Sequence, residues 1–429
     1  MVRVQLENSE KIMFANSIIS RRTVVVLNGI SSIYEDTAVG IRLRWFSRFL
    51  KAYGFEVKEL VPFKKYHSRN VSQVSVQSIC ALFSCPIWSV ALFLLIGIMY
   101  TPLAFLSLLI IRPDVILISM PLPSYGISFG LAHVIYKRFS RKKIFLIYDY
   151  RDPVLEKEAY RYAYDYNSIL GLISLEFLTA VLEKLMRSAD LILTTTNYLK
   201  KQLNLRGIVN VITIYNGSDL IIPSKNIKNK KDTSFKLVLL SKYIIGAGHY
   251  NRVDVAVKSL IECYKICKNI NVDLILIGSV SKRFKTWYEK IRITHPEIDG
   301  HIKFLGEMPH DYLMDVLINC DVGLILYDES SVRANTIPVK FFEYISAGLP
   351  VIVSVVSPSE LGDIVKNYGL GFICDPLDYK CIARTICFMF QNRIIYEEMQ
   401  KNALKASRMF QRTYWAKIFA RIVKKLVDG

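Results

Sequence analysis

The stretch Asn335-Thr-Ile-Pro-Val-Lys-Phe-Phe-Glu343-Tyr-Ile-Ser-Ala-Gly348-Leu-Pro-Val-Ile-Val-Ser354 decides the fold of this chain. It follows an apolar run, Val322-Gly-Leu-Ile-Leu-Tyr327, and passes directly into a second one, Val351 to Val356. Between the two lie helix signals: Thr336 as a cap, Pro338 in the first turn and Gly348 just past the end. Strand, loop, helix and strand in that order make a parallel pair, because parallel neighbours need a crossover where antiparallel ones need only a hairpin. The loop then lies at the carboxyl end of a strand, where open α/β sheets bind ligands. On the helix, Lys340, Glu343 and Tyr344 fall three and four positions apart and share a face, which leaves Phe341, Phe342 and Ile345 to pack on the sheet.

Alone, a Lys and a Glu three apart read as a solvated surface pair. Between two core strands, and behind such a loop, they suit a ligand better. A carboxylate fits the vicinal hydroxyls of a ribose, and an ammonium near the helix start fits a diphosphate.

At these residues the chain resembles the retaining, nucleotide-sugar-dependent glycosyltransferases of family 4. In that family a Glu, seven residues and a second Glu precede A-x-A-G-x-P-V-I, and Glu343-Tyr-Ile-Ser-Ala-Gly-Leu-Pro-Val-Ile352 matches the second half. Asn335 stands where the first Glu would be. A branch written N-x-x-P-x-K-x-x-E-Y-x-A-A-G-x-P-V is closer still. The resemblance implies an α/β fold of the GT-B type, two Rossmann-like parallel-sheet domains facing a cleft. It implies that Glu343 binds the donor ribose and that Asn335 faces the donor sugar, an amide replacing a carboxylate. It also implies retention, no metal and no cofactor, with the nucleotide sugar as substrate.

The chain has 429 residues, long enough for two or three domains. Its 56 Lys and Arg against 37 Asp and Glu give a formal charge of +19, which calls for an acidic partner. The basic residues are spread along the chain, and no helix-turn-helix, finger or aromatic-basic RNA motif appears, so nucleic acid is set aside. Anionic lipid and phosphorylated substrate remain. Eight cysteines form no C-x-x-C pair and mostly fall in apolar segments, which reads as buried thiols of a reducing compartment. The six His are scattered without zinc spacing. Residues 1–20 lack the apolar core of a signal peptide, which points to the cytoplasm.

In chain order, Arg21 to Gly29 reads as the first buried strand and Ile41 to Leu50 as a helix. By position, Gly40 and Arg42 are acceptor-side candidates, although Arg42 also reads as part of a solvated helix face. Gly54 to Leu60 gives a second strand. Residues 70–111 contain no charge, and Ile87 to Ile111 is nearly continuous apolar sequence broken by Pro102. A span would leave the next strands on the wrong side of a membrane. The expectation is therefore either a helix buried on the sheet or one that dips into a membrane surface. Arg112-Pro-Asp-Val starts another strand. Lys142-Lys-Ile-Phe-Leu-Ile-Tyr-Asp149-Tyr-Arg151-Asp152 follows as a buried strand with a charged exit, similar to the family's D-x-R-D. Asp149, Arg151 and Asp152 either form an internal ion network or face the cleft as catalytic candidates with Asn335. A helix from Ile169 to Arg187 leads to Ala189-Asp-Leu-Ile and to Asn216-Gly217, like the end of the family's first domain.

The polar segment 218–234 reads as a linker. Beyond it, Phe235 to Lys242 is a strand whose exit in the family carries an Arg on phosphate, and Lys242 stands there as a point charge. The exits at Gly278 and Gly306 are donor-side candidates by resemblance. The tail from Thr413 resembles the family's last helix, which crosses back onto the first domain. The domains so drawn are 1–217 on the acceptor side, the linker 218–234, 235–407 on the nucleotide-sugar side and a closing helix 408–429. The resulting expectation is a glycosyltransferase that acts on a lipid-linked or surface-glycan acceptor, as a peripheral protein on the inner face of the cell membrane. A nucleotide-sugar 2-epimerase of the same architecture and a non-catalytic, basic membrane-associated binding protein are the alternatives.

Overall fold

A computed structural model describes residues 22–28, 38–60, 95–120, 123–156, 169–218, 234–246, 249, 251–267, 269–329 and 335–429. The expectations placed on residues 1–20, on 70–94 and on most of the linker 218–234 lie outside them.

The first domain runs β1 (Thr23–Asn28), α1 (Ala38–Ala52), β2 (Glu56–Leu60), α2 (Thr101–Ile111), β3 (Val115–Ser119), α3 (Pro123–Phe139) and β4 (Phe145–Tyr150). It continues through α4 (Ile169–Arg187), β5 (Leu191–Thr194), α5 (Asn197–Leu205) and β6 (Val211–Thr213). The second domain opens with β7 (Phe235–Ile244), α6 (Val253–Ile266), β8 (Val272–Val280), α7 (Lys282–Thr294), β9 (Ile302–Gly306), α8 (His310–Leu317) and β10 (Val322–Leu326). Then come α9 (Val339–Ser346), β11 (Val351–Ser354), α10 (Glu360–Asn367), β12 (Gly371–Cys374), α11 (Tyr379–Gln391), α12 (Arg393–Ser407) and α13 (Arg412–Asp428).

The strands form two parallel sheets, ordered β2-β1-β3-β4-β5-β6 and β12-β11-β10-β7-β8-β9. Strands β3, β5, β10 and β11 are buried along their whole length, as continuous Val, Ile and Leu runs covered by helices on both faces require. A carboxylate just before a strand holds the amino edge of each sheet. Asp114 accepts from the Thr23 amide at 2.7 Å, Asp190 from Leu146 at 2.8 Å and Asp321 from Lys236 at 2.8 Å. The Asp of Pro-Asp-Val and of Ala-Asp-Leu is thus an edge clamp at the end of the sheet opposite the strand exits.

Helix α13 returns to the first domain and packs on α1, with the Phe46 and Phe419 rings 4.2 Å apart. At the crossing the Arg412 guanidinium donates to the carbonyls of Asn216 and Gly217. Gly217 has φ +65°, and a Cβ there would lie 2.6 Å from the Phe410 carbonyl oxygen, so only glycine fits.

Two expectations are corrected. The thiol reading fails for one pair, because Cys374 at the end of β12 and Cys381 in α11 are joined by a disulfide. Cys263, Cys267, Cys320 and Cys387 are free and buried. The described part of the apolar stretch, 95–111, is not the fully buried helix that was one of the two expected alternatives. Thr101, Ala104 and Leu108 of α2 face the core while Leu103, Leu106 and Ile110 are exposed. Among the described residues no helix is long and apolar enough to cross a membrane.

Candidate active site

The carboxyl ends of the two sheets meet. Thr196 caps α5 by accepting from the Leu199 amide, and its hydroxyl donates to the Asn335 carbonyl across the gap at 2.7 Å. Beside it the Tyr198 amide donates to Glu360, and the Tyr198 and Tyr215 hydroxyls donate to Asp363 and Glu360 at 2.7 and 2.5 Å. The Asp363 carboxylate raises the Tyr198 pKa to about 12, which keeps that hydroxyl a donor. Glu360 and Asp363 sit in the first turn of α10, where the helix dipole favours negative charge. The Thr196 bond holds Asn335 against the exit of β5, and the tyrosine bonds hold α10 against the first domain.

Helix α9 begins later than the sequence suggests. Its N-cap is Pro338, in an extended conformation with no side-chain cap, so Thr336 does not serve as one. Gly348 lies past its end at φ +70°. Glu343 is 6% exposed, and one of its oxygens, Oε1, is 3.0 Å from Nε2 of His310. Lys340 donates from Nζ to the Leu240 carbonyl and to Asn251 Oδ1, both at 2.9 Å. Asn251 in turn donates to Ser241 at 3.1 Å. The ammonium is thereby tied to β7 at Leu240, two residues before Lys242, which is exposed within the register shift between Leu240 and Tyr243. Tyr344 does not share this polar face. Its ring is fully buried, and its hydroxyl accepts from the Leu240 amide at 2.8 Å.

Gly278 and Gly306 mark the exits of β8 and β9. A Cβ at Gly278 would lie 1.6 Å from the Ser241 carbonyl oxygen, so the two strand exits touch only because it is glycine. Gly306 has open space around it and is required by φ +71°.

In the first domain Arg42 is 2% exposed, which overturns its reading as part of a solvated helix face. Its guanidinium donates to Asp149 from Nε and, at 2.9 Å, from Nη2. Its Nη1 donates to the Ile214 carbonyl at 2.9 Å. Asp149 is wholly buried and has a second cation in Arg151, at 3.7 Å. Nε of Arg151 is buried without a hydrogen-bond partner among the described residues. Burial lowers the Arg151 pKa, with Asp149 and Asp152 opposing that shift. A buried cation with an unspent donor at a strand exit is suited to an anionic or hydroxyl-rich ligand. Asp152 is exposed beside it. Gly40 is buried in the first turn of α1.

The structure thus brings Lys242, Lys340 and Gly278 together around the exit of β7, with Glu343 one turn further along α9. Across the gap the Asn335 loop meets the β5 exit beside Arg151, whose carbonyl accepts from Thr195. His310, Asn251, Thr196 and Glu360 were not singled out from the sequence. Each acts through a partner distant in the chain, and no local spacing signals that.

Residues 229–406 match the family model described as Glycosyl transferases group 1. No curated protein matches the chain. Among solved structures, HepE of Anabaena in complex with UDP is 14% identical, covering 94% of this chain and 100% of its own, with a TM-score of 0.59. A glycosyltransferase from Rickettsia africae is 12% identical over 96% of this chain and 100% of its own, at 0.60. An E. coli structure described as trehalose-6-phosphate bound with UDP-2-fluoro glucose is 11% identical over 95% and 99%, at 0.62. At these identities the likeness is one of fold, and the fold is GT-B.

Proposed function

We infer, from a second domain of the glycosyl transferases group 1 and a GT-B fold through the whole chain, that the protein is a glycosyltransferase. Its donor is a nucleotide sugar, and uridine is the base we propose. HepE is described in complex with UDP and with UDP-glucose, and the E. coli neighbour with a UDP sugar. Glu343 accepts from the ribose hydroxyls. Lys242 and Lys340, with the amides around Gly278, offset the charge that grows on the diphosphate as the glycosidic bond breaks. Asn335 and Arg151 face the donor sugar. Asp149 fixes Arg151 rather than reacting, and Asp152 and Gly40 lie toward the acceptor. The acceptor oxygen bonds to the anomeric carbon on the face the phosphate leaves, and a phosphate oxygen takes its proton. The stereochemistry is retained, with no metal.

The observation that carries this reading is Lys340 bonded to the Leu240 carbonyl of β7, with the buried Glu343 one turn further along the same helix, opposite a loop tied to the first domain. A thermal-shift panel of nucleoside diphosphates and their sugars tests it. Uridine compounds should raise the melting temperature and cytidine or guanosine compounds should not. Glu343→Ala removes a charged acceptor worth about 1.5–3 kcal/mol, so UDP affinity should fall by about ten-fold or more with the fold intact. Unchanged binding in a folded variant would remove Glu343 from the donor site.

The acceptor we propose is lipid-linked, reached from the cytoplasmic face of a membrane. The support is a pair of exposed apolar side chains on the first domain, Ile110 on the outward side of α2, 81% exposed, and Phe139 at the end of α3, 78% exposed. Lys137, Arg138, Arg141, Lys142 and Lys143 surround Phe139 in sequence, and Lys142 donates to the Arg112 carbonyl just beyond Ile110. Exposed apolar side chains with a cluster of cations beside them in sequence match an anionic bilayer.

A further inference from the structure

Glu343 and His310 come from different helices, 33 positions apart, yet Nε2 of the imidazole lies 3.0 Å from Oε1 of the carboxylate. Both side chains are largely enclosed, at 17% and 8% exposed. The two helices share one apolar cluster, with Leu313 and Leu317 of α8 packed in the same core as Phe341 and Phe342 of α9. The tie therefore joins elements already fixed against each other. An ionised carboxylate can only accept, so the imidazole donates from Nε2. A carboxylate buried to this degree needs a partner before any ligand arrives, or its charge would be left unsolvated.

We propose that His310 is a positioning residue for the donor site: it occupies Oε1 of Glu343, locks the carboxylate rotamer and turns Oε2 to the ribose hydroxyls. This rests on the reading of Glu343 as the ribose ligand. Without the imidazole the carboxylate would have to be ordered by the ribose itself, and that ordering cost would come out of binding. The effect is confined to the sugar of the nucleotide, because the diphosphate is held elsewhere, by the lysines at the β7 exit.

Calorimetric titration of the full chain with UDP and with 2′,3′-dideoxy-UDP tests the proposal. The wild-type protein should prefer UDP by on the order of ten-fold. His310→Ala should lose most of that preference while binding the dideoxy compound within about two-fold of wild type. His310→Gln, whose amide nitrogen overlays Nε2, should restore it. Equal weakening of both ligands in His310→Ala would mean a general structural role, and an unchanged preference would mean an idle contact. Either result overturns the proposal. Glu343→Ala separates this from failure of the underlying reading: if that variant keeps the preference for UDP, the ribose is bound elsewhere and the assignment of Glu343 itself falls.

Discussion

Arg42 shows how a residue's environment can override the expectation set by its charge. It stands four positions before Phe46 and eight before Leu50, on the apolar stripe of α1, and its guanidinium lies 4.6 Å from the centre of the Phe46 ring. The periodicity therefore contained the information that Arg42 faces inward, but the prior that arginines are solvated outweighed it. Its partner could not be read in advance, because Asp149 is 107 positions away. Removing Arg42 would leave the buried Asp149 only the longer contact with Arg151, at 3.7 Å, to offset its charge. Arg42→Ala should accordingly destabilise the protein by about 3–5 kcal/mol, whereas adding Asp149→Asn to it should recover part of that loss. Denaturant melts of both variants check this. If the single and double variants lose the same stability, the Arg42 bonds to the Ile214 and Tyr215 carbonyls, rather than the ion pair, carry the effect.

At the scale of elements, the strand-loop-helix-strand unit around Glu343 was legible, because Val, Ile and Leu runs of strand length bracket a helix-period segment that ends in Gly348. The start of the helix was not. Pro338 keeps the residue before it out of the helical region, so the chain stays extended through Ile337 and the turn begins at Val339. The inward position of Tyr344 was also hidden, since its hydroxyl finds the Leu240 amide only once β7 and α9 are side by side. That contact explains why Gly323 interrupts the apolar run of β10. A Cβ there would lie 2.3 Å from a ring carbon of Tyr344. Gly323→Ala should push the ring, and α9 with it, away from the strand. We expect a loss of about 1–3 kcal/mol in stability and weaker UDP binding, because Lys340 and Glu343 ride on the same helix. A variant that melts early but binds UDP normally would show that α9 absorbs the strain without moving its polar residues.

For the whole molecule, the alternation of apolar strands and helices made parallel sheets legible in the sequence, whereas two such domains facing a cleft were implied by the family resemblance. How the two halves are held was not. The contacts of Thr196, Tyr198 and Tyr215 with the Asn335 loop and α10 depend on side chains brought together only by folding. The uncharged run before Arg112 posed the other question of scale, burial or membrane, and the structure divides α2 between core and surface: Leu108 inside, Leu106 and Ile110 outside. Each apolar side chain that enters a bilayer gains about 1.5–3 kcal/mol, and each Lys or Arg near an anionic leaflet adds about 1 kcal/mol. Two or three of each suffice for reversible docking. Purified protein should therefore float with liposomes containing anionic lipid at low salt and much less with neutral ones. Replacing Leu106 and Ile110 together by Glu should abolish flotation while leaving the UDP-induced thermal shift intact, since α2 lies on the first domain and contributes nothing to the β7 exit. If the wild-type protein stays in the soluble fraction with anionic liposomes, this apolar face does not meet a membrane and the acceptor need not be a lipid. If the double variant still floats, the contact lies on another surface of the molecule.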